Sequence, residues 1–432
     1  MGLNHALKPK LPIVNYISIL ILGSLIGLLT LNKYFIITFF VILLSVLFLL
    51  LFKKRKPVFI CLILVNLFFE PLLPIPINFA NTNIEIISLL FTAFMLLEVK
   101  SFLVIFKQVK GFSFIFVFTI LLMTISIYFS MDKFASIDGS LNVLTFLFLI
   151  VYSYNAFQSK EAIVKFLKNT KVLLVFVLLL KWIFIFASPE MNINKNIFGS
   201  LLDIIIPFMF IVIFHSRDKK DYLLLIFLFI TLLINDSRGA LIAIVISIGL
   251  YIFSKIYNPK SLFIAIASLI CGITLLPFIP ESIITRLTNV INFNDYNFYT
   301  RIGLWNSAFM VLKEHFFFGV GFNNFVYYYK EFFPYYGEFF HPHNIYIYVL
   351  VSTGIIGFLV FIITSTYFIF MLIKYCRKTS YKYKFYFIGF IYSSAALMIH
   401  GFIESTLMMA STLMLMGVFI GILYKFGEIG DK

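Results

Sequence analysis

The sequence predicts an all-α protein that crosses a lipid bilayer many times. Three observations predict it. Of 432 residues, 62% are hydrophobic and only 12% are charged, whereas a soluble domain carries about 25% charged residues. Apolar runs about 20 residues long recur along the chain, the length that carries a helix across the hydrocarbon. Finally, Lys and Arg fall unevenly on the two sides that those runs define, as expected when basic loops stay in the cytoplasm.

The runs are read in order at 12–31, 34–52, 57–75, 84–98, 112–130, 141–158, 172–188, 198–215, 222–236, 240–257, 261–279, 344–373, 385–404 and 407–424. Several are short or closely paired, so 12 to 14 transmembrane helices are expected. Backbone groups in lipid must be satisfied within the segment, which makes each run a helix. The first run is long and lacks a small-residue cleavage site, so it reads as a retained membrane helix. With the N-terminus in the cytoplasm, 25 of the 34 basic residues fall inside and 8 outside, with Lys181 within a run. Both termini are therefore placed in the cytoplasm. The 57 Phe and 24 Tyr suit a lipid-facing surface and its boundaries.

This division explains the net charge of +15 as a topology signal. The basic residues sit in short loops and form no arm or recognition helix, so no nucleic acid is expected. Cys61, Cys271 and Cys376 have no metal-site or disulfide spacing.

One loop is long. Residues 280–343 separate an N-terminal bundle, 1–279, from the C-terminal helices, 344–432. A long, partly apolar loop on an otherwise minimal membrane protein is a functional candidate. Within it, Ile302, Trp305, Ala308, Phe309 and Leu312 recur at helical spacing and predict a helix over 300–316 on or near the membrane surface.

The candidate residues cluster on that side. Arg238, Arg286 and Arg301 lie outside despite the inward bias of basic residues. Their forked guanidinium groups match phosphate oxygens, although each could also anchor to headgroups or pair locally, Arg238 with Asp236. His343 stands where the loop re-enters the membrane, next to Asn344. It is the side chain best suited to exchange a proton near neutral pH; His341 is a second choice. His5, His215 and His400 read as structural. Gly319-Val320-Gly321 follows no strand and opens no βαβ unit, so it binds no nucleotide. With no outer acidic cluster visible, no metal and no cofactor are expected.

Several of these segments together carry a resemblance. Arg301-Ile-Gly-Leu-Trp305 leads to His315-Phe-Phe-Phe-Gly319-Val-Gly321-Phe-Asn-Asn324-Phe325, then His343-Asn344, nine residues, and Gly354-Ile-Ile-Gly357. Upstream stand Ser237-Arg238-Gly239-Ala240 and Asn194-Lys195-Asn196. The pattern resembles the O-antigen ligase/polymerase superfamily, by motif over 190–360 and by topology over the whole chain; Lys195 replaces the Pro usual in its Asn-Pro-Asn turn. The resemblance implies a C-type glycosyltransferase fold in a bacterial inner membrane, with the active site facing the periplasm. It implies a glycan donor on undecaprenyl diphosphate. The acceptor would be lipid A-core in a ligase, or another lipid-linked glycan in a polymerase. His343 would be the general base, and Arg238 and Arg301, with Arg286 a third, would bind the diphosphate. Asn344 would orient His343 or bind a sugar, and Gly354 and Gly357 would let two helices approach closely.

Two readings outside the family stay open. Glu70, Lys181, Asp203 and Glu404 fall in or near apolar runs, as membrane acids do in transporters and lipid-linked glycan flippases. A purely structural membrane subunit would leave the outer Arg and His residues replaceable.

Overall fold

The computed structural model describes residues 57, 60, 76–79, 82–85, 110–187, 194–216, 219–235, 237–255, 296–333 and 339–429. It is an all-α polytopic architecture. Long helices run as α1 Lys110–Phe129, α2 Lys133–Asn155, α3 Lys160–Ala187, α4 Lys195–Ser216, α5 Lys219–Asn235 and α6 Arg238–Phe253. They continue as α7 Tyr296–Glu314, α8 Ile345–Lys378, α9 Lys384–His400 and α10 Ala410–Ile429. A small antiparallel hairpin, β1 Pro76–Phe79 and β2 Thr82–Glu85, precedes them and was not anticipated. The chain divides into two compact units, residues 1–62 and 63–432, and all these elements lie in the second.

Among the described residues, five helices are long and apolar enough to cross a membrane: α1 (from Gly111), α2, α4, α8 and α10. α5 and α6 are shorter apolar helices. Every expected run between 112 and 257, and all three beyond 344, coincides with a helix. The runs at 12–31, 34–52 and 261–279 lie outside the described residues, as does most of 57–75 and 84–98.

Short polar side chains start the helices. Asp132 caps α2 by accepting from the N–H groups of Phe134 and Ala135. Asn194 does the same for α4 and Asn344 for α8. Such caps satisfy amides that a helix leaves unpaired in its first turn.

In the bundle, α2 packs along α10, α9 packs along α4, and α6 lies against both α4 and α9. A close helix contact is made by a pair of glycines not singled out from the sequence. A Cβ on Gly417 or Gly421 would stand 2.7 Å from the Phe146 carbonyl oxygen or 2.3 Å from that of Ile150 on α2. This spacing of four is the small-residue stripe that lets membrane helices approach closely. The role expected of Gly354 and Gly357 thus belongs to other residues. Gly357 lies against the Thr353 side chain of its own helix.

Gly354 instead breaks α8. Its backbone sits at φ 66°, ψ −173°, a region essentially restricted to glycine. The break frees two carbonyls and two amides, and the segment 316–321 satisfies all four. Val320 and Gly321 donate to the carbonyls of Val351 and Ser352 at 3.0 and 2.8 Å. Ile355 and Ile356 donate to Phe316 and Phe317 at 2.9 and 3.4 Å. Ser126 Oγ on α1 adds a bond to the Ser352 carbonyl. Non-helical backbone inside a membrane protein requires this kind of internal satisfaction. The Phe-rich Gly-Val-Gly segment is therefore a plug for a broken helix.

The rest of the loop has a small core of its own. Leu304, Ala308 and Val311 of α7 pack with Val320, Phe325, Tyr329 and Val351. The helix begins four residues before the expected start, and its other face leaves Phe309 and Met310 exposed. Asn324, fully buried, accepts from the Asp132 amide and donates to its carbonyl. Those bonds fix the loop to the start of α2.

Candidate active site

His343 precedes α8 with a left-handed backbone, φ 51°. A non-glycine residue there is uncommon and needs support from its surroundings. Asn344 supplies it on one side. Its Oδ1 accepts from the amides of Tyr346 and Ile347 at 3.0 and 3.1 Å, and its Nδ2 donates to the Phe402 carbonyl at 3.1 Å. Asn344 thus caps α8 and ties it to the connection after α9. Trp305 Nε1 on α7 donates to the Pro342 carbonyl at 2.8 Å. Phe339 lies edge-on to the His343 ring.

The chemical partner of His343 is Glu404, 61 residues further on. His343 Nδ1 lies 2.8 Å from Glu404 Oε1. The carboxylate is 3% exposed and the imidazole 25%. Burial works against the charged form of Glu404. The hydrogen bond and charge of His343, the charge of His341 and the Ser405 amide outweigh it and hold the carboxyl at about 2. Glu404 is therefore a carboxylate at neutral pH and accepts from Nδ1–H of His343. In the neutral ring that tautomer puts the lone pair on Nε2. Asn196 Nδ2 holds the second carboxylate oxygen at 2.7 Å.

Asn196 links this dyad to the arginine-bearing turn. It occupies the first turn of α4, within the Asn194-Lys195-Asn196 element. Ser237 Oγ donates to Asn196 Oδ1 at 3.4 Å, and Asn235 Nδ2 donates to the Lys195 carbonyl at 2.7 Å. Arg238 then opens α6, half-buried. Beside it, a Cβ on Gly239 would stand 2.6 Å from the His400 ring. His400, fully buried, shares a 2.6 Å hydrogen bond with the buried Asp203. Arg301 on α7 is half-buried and close enough for its charge to act on His400.

His341 completes the cluster. Its ring meets that of His343 edge-on at 4.7 Å, and its Nδ1 is 3.8 Å from Glu404 Oε1. Although 21% of the side chain remains accessible, Nδ1 itself is buried. Burial is the main reason its pKa falls to about 4, which keeps the ring neutral near pH 7.

Four separate chain segments thus converge: 194–196, 237–239 with Asn235, 339–344 and 400–405, with α7 alongside. Of the residues expected from the sequence, His343 and Asn344 stand side by side before α8, Arg238 opens α6 next to the Ser237–Asn196 bond, and Arg301 lies on α7. Asn344 caps α8 and donates to the Phe402 carbonyl. Gly354 and Gly357 stand apart, in α8. Arg286 lies outside the described residues. Glu404 and Asn196 were missed as members of the site. His341, His343 and Glu404 offer possible ligand atoms all within 4.8 Å of one another, a grouping that spacing could not show because its acid comes from a distant segment.

Residues 223–362 match the O-antigen ligase family, Wzy_C. Over this stretch the chain is similar to that family. The match covers about a third of the chain and runs from α5 to the middle of α8. It takes in Arg238, Arg301, His343 and the broken helix. Asn196, Asp203, His400 and Glu404 lie outside it. No curated protein matches the chain. The match supports an O-antigen ligase-type function in general, a family that implies lipid-linked glycan and lipid A-core substrates.

Proposed function

We propose that this protein transfers a glycan from undecaprenyl diphosphate onto a sugar hydroxyl of lipid A-core at the periplasmic face of the bacterial inner membrane. The observation that carries the reading is the His343–Glu404 pair. A buried carboxylate fixes Nδ1–H of His343 and leaves Nε2 able to accept a proton, the arrangement that a general base needs. The acceptor oxygen forms a bond to the anomeric carbon while the bond from that carbon to the diphosphate oxygen breaks. The acceptor proton passes to His343 Nε2, and the electron pair leaves on the diphosphate. Arg238 and Arg301, with Arg286 as a third, stabilise the charge that builds there. In this reading arginine takes the place of a metal, and no cofactor is needed because the donor linkage is already activated.

The interior also holds apolar space on the same side of the fold as the connection after α9. A largely apolar cavity of about 150 Å³ lies among α1, α2, α8, α9 and α10, lined by Met123, Phe146, Val349, Phe368 and Met398. It reaches Leu407, in the same connection as Glu404.

The test is a lipopolysaccharide gel from a strain lacking the gene. Bare core, with long polymer accumulating on the lipid carrier, is the expected result. Core bearing a single repeat unit would make the protein a polymerase, and an unchanged ladder would overturn the reading. Complementation with Arg301→Lys should restore little ladder, with transfer reduced by about 10-fold or more, since Lys keeps the charge but loses the fork. Full restoration would remove Arg301 from the diphosphate site.

A further inference from the structure

We infer that His341, His343 and Glu404 form a binding site for a divalent transition-metal ion of the zinc class, and that occupancy switches the transferase off.

The donor set is two imidazole nitrogens and one carboxylate oxygen, a combination that suits Zn²⁺ and its neighbours better than Mg²⁺ or Ca²⁺. Metal–ligand bonds of about 2.0–2.2 Å in a tetrahedron place ligand atoms roughly 3.3 Å apart. Glu404 Oε1 lies 2.8 Å from one imidazole nitrogen and 3.8 Å from the other, two spacings on either side of that value, and all three ligand atoms lie within 4.8 Å of one another.

Two further features distinguish the group from a chance cluster. His341 Nδ1 is buried and makes no hydrogen bond among the described residues. It faces the one carboxylate oxygen that His343 also approaches. A buried acceptor left without a partner is costly, and a shared cation would satisfy it. The carboxylate is also held from behind, as metal ligands commonly are. Asn196 Nδ2 binds its other oxygen at 2.7 Å, and the Ser405 amide binds Oε1 at 3.0 Å. Three ligands leave one tetrahedral position open to water.

The consequence for transfer follows from the tautomer. A metal on Nδ1 of His343 takes the place of the proton donated to Glu404. The neutral ring then carries its proton on Nε2, which can no longer accept one from the acceptor hydroxyl. Inhibition is therefore read as the ratio of each variant's own rates with and without Zn²⁺. The inhibition rests on His343 being the base; the binding does not.

The test uses the full-length protein in detergent micelles, titrated with Co²⁺ as a visible probe and with Zn²⁺ in competition. One Co²⁺ per chain, with the intense absorption of a four-coordinate ion and displaced by Zn²⁺ but not by Mg²⁺, is expected. His341→Gln should weaken binding by at least about 10–100-fold, the loss that even an outer-shell change produces. It should also make transfer resistant to Zn²⁺. No bound Co²⁺ in the wild type, or the same affinity in His341→Gln, would overturn the site. The wild-type titration keeps the test valid should the variant fold poorly. Binding with undiminished transfer would overturn the switch and would count against His343 as the base, while the site itself would stand.

Discussion

Glu404→Gln lowers glycan transfer by about 10²-fold or more, with the loss in kcat and little change in KM. The cause is the tautomer of His343. A neutral amide does not hold Nδ1–H as a buried carboxylate does, so the ring loses both its orientation and its free Nε2. Glu404→Asp keeps the charge and should recover part of the rate. The decisive comparison is a double-mutant cycle with His343→Ala. Groups acting as one unit are far from additive. The double variant should therefore be no slower than His343→Ala alone. Independent, multiplying losses would show that Glu404 acts elsewhere, and unfolding of the purified variants distinguishes lost chemistry from lost structure.

Gly354→Val has its largest effect on the fold. A Cβ at this position would lie 2.3 Å from the Phe317 carbonyl and 2.4 Å from the Phe318 amide nitrogen. These are backbone atoms and cannot swing aside. Backbone strain of about 1–3 kcal/mol adds to overpacking of similar size. The sum is a large share of the stability of a typical domain. We expect a fall in melting temperature of the detergent-solubilised protein, or loss of folded protein altogether. Gly249→Ala is the matched control, since nothing lies within 4 Å of its added methyl, and its melting temperature should hold or rise. An unchanged melting temperature in Gly354→Val would mean that segment 316–321 does not plug the break.

Much of this architecture was legible in the sequence because lipid imposes simple rules. Apolar runs had to be helices, and those between 112 and 257 and beyond 344 are. His343, Arg238 and Arg301 stood out because polar residues collected on one side of an alternating topology. Glu404 was not legible for a physical reason. It sits at the end of an apolar run, where an isolated acid looks like a transporter's membrane carboxylate. Only the pairing of α9 with α4, and the Asn344 tie to Phe402, bring it under His343. Asn196 had a trace, since its Asn-x-Asn turn was noticed, but its contact with Glu404 spans 208 residues. Gly354 was singled out, yet its purpose depends on a segment more than 30 residues upstream whose amides fill the break. Spacing alone could not distinguish that from a helix-packing glycine, and it left Gly417 and Gly421 unnoticed.

The most direct measurement of the central claim uses purified protein, an undecaprenyl-diphosphate-linked glycan and lipid A-core, with a metal chelator present. The wild type should form glycosylated lipid A-core and release undecaprenyl diphosphate in step with it. His343→Ala should be slower by about 10²–10⁴-fold, the usual contribution of a positioned acid–base group. Transfer by His343→Ala at the wild-type rate would contradict the account.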